Sequence, residues 1–311
     1  GPWLKIVSPF THAVRLGSTG LSVSFSLIKN PIRDMWSYMI QSEGFAPNPF
    51  KWFKGLKSVF ARDENYRRWQ RAGGEIAQPL GLDKNSFKVV TDKLLAHSLK
   101  DKSLNIVKHP IEALKDIFGV MEAPARVAEM SEIGGKFEKG SPDSAIAGAV
   151  AAADVTVNFK RMGRIGAILN QIIPFWNPSV QGPSKFGKTI KEHPGRSAMR
   201  VAATITAPML ALWFMNKDEE WYKETPRWEK LLFMHFNVGT KEKPTIMRLP
   251  LPFEWGILFG SLPVAYLDSE YNKNPDAFKE AIGMTAEQFT PDILPAVVKP
   301  GIEVSANYDF F

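Results

Sequence analysis

Between Val201 and Met215 the chain runs 15 residues without a charge and almost without a polar side chain. Such a stretch has to leave water, so it constrains the fold more than any other segment. As a helix it would span about 22 Å at ~1.5 Å per residue, short of a ~30 Å hydrocarbon core, and Pro208 interrupts it. A buried core helix is the preferred reading, with membrane insertion as the competing one. The 311 residues, 44% hydrophobic and 12% aromatic, supply material for such a core.

The rest of the pattern is helical and broken by proline and glycine. Two apolar stretches within residues 11–43 meet at Asn30-Pro31, a cap followed by a first-turn proline. Ile32, Met35, Trp36, Met39 and Ile40 then recur at helical spacing. Residues 44–80 carry Gly44, Pro47, Pro49, Gly73, Gly74 and Pro79, which predicts loops around one or two short helices. A long helix is expected over 108–139, bent at Pro124, and an Ala-rich helix from about Pro142 to Phe159 that admits a close neighbour. Leu231–Val238 and Thr245–Leu249 read as a β-hairpin with a polar loop, followed by an apolar helix over 253–267 carrying Trp255, Leu258, Phe259 and Leu262. The fold class expected is mainly α: an irregular multi-helix assembly with one short β-hairpin near residues 231–249. Residues 1–107 read as an N-terminal helical part with a loop-rich basic and aromatic region, and 108–311 as a helical core holding the hairpin. The Gly-Pro-Trp start and the Phe310-Phe311 end read as those of a piece of a longer chain.

Motifs for chemistry are sparse. The absence of cysteine removes disulfides, thiolate nucleophiles and cysteine-bound metals. Gly182-Pro-Ser-Lys-Phe-Gly-Lys188-Thr189 spells a phosphate-loop pattern. Its context opposes a nucleotide site, because Pro174 and Pro178 break any feeding strand and Pro183 removes an amide from the cradle. His12, His97, His109, His193 and His235 are scattered without metal-ligand spacing, so solvated or capping roles are expected for them. Asp63-Glu64 and Asp218-Glu219-Glu220 read as solvated charge. No catalytic residue, metal or cofactor is expected.

A net charge of +7 favours polyanionic neighbours. One basic stretch, Lys51 to Arg71, is interleaved with Trp52, Phe53, Phe60, Tyr66 and Trp69, a mixture that suits either stacked bases or a core-facing amphipathic helix. The other, Lys160, Arg161, Arg164, Lys185, Lys188, Lys191, Arg196 and Arg200 against the single acid Glu192, is the candidate nucleic-acid-binding set. An anionic lipid contact or a solvated face competes with it.

Several segments together resemble one family. Asn158-Phe159 with Arg161, Leu169-Asn-Gln-Ile-Ile-Pro-Phe-Trp-Asn177, then Gln181-Gly182 and Lys185, resemble the signature of a large polyvalent protein associated domain of phage and mobile-element proteins. Asn30-Pro-Ile-Arg-Asp34, Glu122-Ala-Pro-Ala-Arg126, Arg248-Leu-Pro-Leu-Pro-Phe-Glu-Trp-Gly256 and Asn307-Tyr-Asp-Phe-Phe311 extend the likeness in order along almost the whole chain. The departures are Trp176, where a second Phe is common, and the loosely matching 44–80 region.

The resemblance implies no catalytic set. It implies a structural and transport segment of a large internal, or ejection, virion protein, held in the capsid interior and delivered with the genome into the host envelope or cytoplasm. Its partners would be other segments of the same chain, other virion proteins, further copies of itself, double-stranded DNA and the host membrane during delivery. Two alternatives stay open: a nucleic-acid-binding module of a virion-packaged polymerase or modifying enzyme, and a membrane-associated part of a DNA conduit.

Overall fold

The computed structural model describes residues 4–15, 29–45, 47–74, 123–137, 141–156, 163–289 and 305. Helix accounts for 77% of them and the strands form a single antiparallel pair, so the mainly-α expectation holds. The chain divides into two compact units, one of Gly1–Asp34, Ser42–Gln181 and Pro291–Phe311, the other of Met35–Gln41 and Gly182–Thr290. The division expected between residues 107 and 108 falls outside the described residues.

In the first unit α1 (Leu4–Arg15) is followed, after α2 (Asn30–Gln41), by α3 (Pro49–Ala61) and α4 (Glu64–Arg71). Local chemistry sets their ends. Asn48 Oδ1 accepts the Lys51 amide at 3.1 Å and Pro49 fills the first turn, where a missing N–H costs nothing. At the other end Arg62 takes a left-handed φ of 48° and its amide closes on the last turn. Asp63 then caps α4, accepting the amides of Asn65 and Tyr66 at 3.0 and 3.2 Å. Asp63 is therefore a capping residue, not the solvated charge expected of it.

α5 (Ala123–Gly134) and α6 (Pro142–Asp154) form the centre of this unit. Val127 and Met130 pack with Val59, Tyr66, Trp69 and Ala152. The close approach expected from the Ala-rich helix is present: a Cβ on Gly148 would lie 3.0 Å from Met130 Cγ, and Ser144 Oγ donates to the Gly134 carbonyl at 2.8 Å. The 108–122 part of the long helix expected there, and residues 157–159 of its neighbour, lie outside the described residues. Within 51–71 the aromatics divide: Trp52, Tyr66 and Trp69 are buried while Phe53 and Phe60 are exposed.

The deepest charge in this unit is Glu129, 1% exposed. It accepts from Ser42 Oγ at 2.5 Å and from the Glu43 amide at 2.8 Å, and Gly44 N–H donates in turn to Ser42 Oγ at 2.9 Å. Burial raises the Glu129 carboxyl above its ordinary range, opposed by those two donors.

α7 (Arg164–Ile172) and α8 (Trp176–Glu192) lead into α9, one continuous helix from Pro194 to Asn216. α10 (Glu220–Glu224) and α11 (Arg227–Leu232) precede β1 (Phe233–Asn237) and β2 (Ile246–Pro250), paired from Phe233↔Pro250 to Asn237↔Ile246. Leu231 and Leu232, expected to begin the first strand, end α11 instead, because Leu231 joins the core with Ile257 and Ala281. α12 (253–271) and α13 (Pro275–Phe289) complete the second unit.

Both α9 and α12 contain a π-helical turn, at Ala202–Thr206 and Ile257–Ser261, each ending two residues before a proline, Pro208 and Pro263. The cause is steric. A helical proline collides with the carbonyl four residues back and offers it no N–H, and a widened turn relieves the collision. The carbonyls concerned are those of Thr204 and Phe259, each inside its π turn. Thr206 Oγ1 donates to the Phe259 carbonyl at 2.7 Å, and a Cβ on Gly260 would meet Ile205 Cγ2 at 2.9 Å, so the two widened turns pack directly on each other.

This corrects the reading of 201–215 in two respects. Pro208 does not interrupt the helix, which reaches 23 residues and about 34 Å. Nor is it a buried core helix, since only 22% of its 18-residue apolar window is inside the protein.

Glu129→Ala should cost about 2–3 kcal/mol in urea unfolding by leaving Ser42 Oγ and the Glu43 amide without their acceptor. Glu129→Gln should keep the Glu43 amide on its oxygen, reverse the Ser42 contact by donating its Nε2 to Oγ, and cost clearly less than Glu129→Ala at neutral pH. A raised carboxyl stabilises the fold below its unfolded value of about 4.5 and loses that contribution as pH rises through the folded one.

Candidate functional site

The signature residues fall into two groups, one in each unit. In the first, Ile173 ends α7 and Phe175 adopts a φ of 60°, a left-handed turn costing about 1–2 kcal/mol for a residue with a side chain. Side-chain amides hold this corner: Asn170 Oδ1 accepts the Asn177 amide at 3.4 Å, and Gln181 Nε2 donates to Asn177 Oδ1 at 2.6 Å. Thr11 of α1 donates to the Ile172 carbonyl at 2.9 Å. The polar letters of Asn170, Asn177 and Gln181 are thus spent on one turn.

In the second unit α8 presents Gly182 and Phe186, four residues apart, to the start of α12. A Cβ on Gly182 would meet the Glu254 carboxylate, so a larger residue there would have to displace that side chain. Phe186 packs edge-on to Trp255 with ring centroids 4.5 Å apart, and Phe259 and Phe289 complete the aromatic cluster. At Gly256 a Cβ would sit 2.6 Å from that of Leu251, which accounts for the glycine after Glu254-Trp255. The apparent phosphate loop lies within α8, where amides beyond the first turn pair with carbonyls four residues earlier instead of converging on a ligand. Its first glycine is a packing residue.

A buried polar network fills the heart of this unit. Glu229 on α11 is 5% exposed, with His235 Nε2 at 3.1 Å and Arg248 Nε at 2.5 Å from its Oε1. Asn216, closing α9, donates to the His235 carbonyl at 3.0 Å. Beside them Asp268 accepts from Trp213 Nε1 at 3.1 Å, and Lys230 Nζ lies 3.7 Å from its other oxygen and 4.2 Å above the Tyr222 ring. Burial pushes the His235 imidazole down, outweighing the Glu229 contact, so the ring is neutral at pH 7. Desolvation likewise raises the Tyr222 hydroxyl and lowers Lys230, which Asp268 partly restores.

His235 is therefore not the solvated or capping residue expected from its isolation in sequence. His193 is exposed, whereas His97, His109 and the side chain of His12 lie outside the described residues. Of the network only Arg248 stood out beforehand, within its Pro-flanked motif. Glu229 carried no such signal, since it sits between Arg227 and Lys230 in a charged turn ahead of Leu231-Leu232. The adjoining cavity, lined by Met209, Trp213, Tyr222, Phe233 and His235 among others, measures about 10 Å³, room for one water. Among the described residues no three His, Asp or Glu side chains converge as a metal-binding set.

The candidate nucleic-acid-binding residues are spread over several elements. Lys160 and Arg161 lie outside the described residues, and Arg164 is exposed at the start of α7 in the first unit. The remainder belong to the second unit. Lys188 and Lys191 are exposed on the last turns of α8, with Lys188 3.9 Å from Glu192, while Lys185 and Arg196 are half-buried. Arg200 is turned toward the protein and donates to the Ile40 carbonyl at 3.1 Å.

Residues 219–311 match the model of a family described as Large polyvalent protein associated domain 38. No curated protein and no solved structure matches the chain. The matched region contains the Glu229–His235–Arg248 network and the Arg248–Gly256 motif, and the Asn170–Gly182 signature lies upstream of it.

Two measurements probe these assignments. Gly256→Ala should lower stability by about 1–3 kcal/mol through overpacking against Leu251 and Pro252, with Gly187→Ala, which meets nothing within 4 Å, as the mild control. A depressed histidine binds more protons unfolded than folded, so stability should fall as pH drops below about 6.5, and His235→Gln should flatten that part of a Tm-against-pH curve. Residues 219–311, with the packed motif and buried network just described, thus match a large polyvalent protein associated domain, the kind of domain that the signature residues upstream resemble.

Proposed function

We propose that the chain is a non-catalytic structural and transport segment of a large phage virion protein, carried in the capsid interior and delivered with the genome. The observation that carries this reading is where the signature residues go. Asn170, Asn177, Gln181, Gly182, Glu254, Trp255 and Gly256 are occupied in turns and packing contacts. A family whose recognisable residues build shape is suited to presenting surfaces to neighbouring virion proteins and to further copies of itself. The polyvalent-protein match supports virion association.

Packaged DNA is the second partner, and the exposed cations Lys188 and Lys191 with the half-buried Arg196 favour it. The same residues would serve the alternative in which the segment is a nucleic-acid-binding module of a packaged enzyme. A DNA contact of this kind is electrostatic and loses affinity with salt in proportion to the phosphates neutralised. The combined Lys188→Gln, Lys191→Gln, Arg196→Gln variant should bind duplex DNA more weakly and reduce the slope of log K against log salt by about 2–3. Salt-independent binding by the native chain would remove DNA from the proposal. For the virion role, the segment in purified particles should resist protease until the DNA is released. Finding it only in infected-cell lysate, and not in particles, would overturn that role.

A further inference from the structure

α9 presents a physical conflict. A helix that is apolar all round belongs inside a protein or a membrane. This one has a buried stripe of Val201, Ile205, Met209 and Trp213, yet its opposite side is both apolar and uncovered. Met199, Ala203, Ala207, Ala211 and Met215 follow at four-residue spacing, with Phe214 alongside. Met199, Phe214 and Met215 are 68%, 63% and 72% exposed.

From this we infer that the outer face of α9 is a lipid-contact surface, entering the hydrocarbon edge of an anionic phospholipid bilayer while its inner stripe stays packed. Three observations select lipid over a protein partner. The helix has 23 residues and a mean hydropathy of 1.4 over its apolar window, meeting the length and composition of a membrane-crossing helix. The polar side chains of its apolar run already have partners within the protein. Between 201 and 216 the polar side chains are Thr204, Thr206, Trp213 and Asn216, which donate to the Arg200 carbonyl at 2.7 Å, the Phe259 carbonyl at 2.7 Å, Asp268 at 3.1 Å and the His235 carbonyl at 3.0 Å. Internal satisfaction of this kind is what hydrocarbon demands. The charge is also complementary: the exposed Lys188 and Lys191 and the half-buried Arg196 precede the apolar run with Glu192 as the single acid between them, placing cations where headgroup phosphates would lie. A face of alanine and methionine gives a protein partner few anchoring side chains, whereas acyl chains conform to it.

The inference does not depend on carriage in the virion. Its test uses the 311-residue chain, which has no cysteine, so one can be introduced for labelling. The chain should float with vesicles of phosphatidylcholine and phosphatidylglycerol, and less with phosphatidylcholine alone. An environment-sensitive dye on Met215→Cys should brighten on the anionic vesicles and be quenched by lipid-borne quenchers. The same dye on Lys241→Cys, in the exposed hairpin loop, should stay in water. Ala207→Glu puts a charge on the outer face away from the core, and should reduce vesicle binding about tenfold or more with circular dichroism and Tm unchanged. Absence of flotation, or a Met215 label that remains aqueous on vesicles, would falsify the assignment. Concentration-dependent self-association that Ala207→Glu abolishes, without vesicle binding, would overturn it in favour of a second copy of the chain.

Discussion

The second unit depends on how two apolar helices carry a proline each and still pack. Pro208 and Pro263 deny a hydrogen bond to the carbonyls of Thr204 and Phe259, and each helix widens by a π turn to clear the clash. A helix interior proline normally costs about 3 kcal/mol or more. Here the widened turns face each other. Thr206 supplies the donor that Phe259 lost, and Gly260 gives Ile205 the space to approach. Two local defects become one interface, and it holds α9 with its inner stripe against the unit.

Other parts of the unit follow from that placement. Fixing α9 sets Asn216 against the His235 carbonyl and Trp213 against Asp268. The hairpin then carries Arg248 to Glu229, while Leu251 and Gly256 close the turn that receives Gly182 and Phe186 of α8. Glu229 is paired with His235 and Arg248, and Asp268 with Trp213 and Lys230, as a buried network requires if it is to cost less than it contributes. Such a network specifies one arrangement of helices and strands. The small cavity beside it is consistent with a framework role for His235, whose neutral ring is fixed between Glu229 and Tyr222.

How far the sequence could be read differed from residue to residue. Asn48, Pro49, Ser141 and Pro142 announce helix starts because capping is a matter of a few adjacent bonds. The hairpin was legible from alternation and a polar loop, and missed by only two residues where Leu231 found a better site at the end of a helix. The prolines around the phosphate-loop letters already argued against a nucleotide site, but that Gly182 faces the Glu254 carboxylate is visible only once Glu254, distant in sequence, lies against it. Glu129 gave no warning, since its partners Ser42 and Glu43 lie more than eighty residues away.

By itself the sequence determined helix content, cap positions, the hairpin and the location of the apolar run, because these rest on propensities and periodicities spanning a few residues. It also carried the family likeness, whose letters encode turns and close approaches. The tertiary structure alone decided which carboxylates are buried, why glycine suits 256 and 260, and that the apolar helix shows one face to the outside. Burial and pairing depend on which distant segments meet, and no window of neighbouring residues contains that information. The length of α9 had the same origin: a proline that reads as a stop becomes an ordinary helical residue when a facing helix lets the turn before it widen.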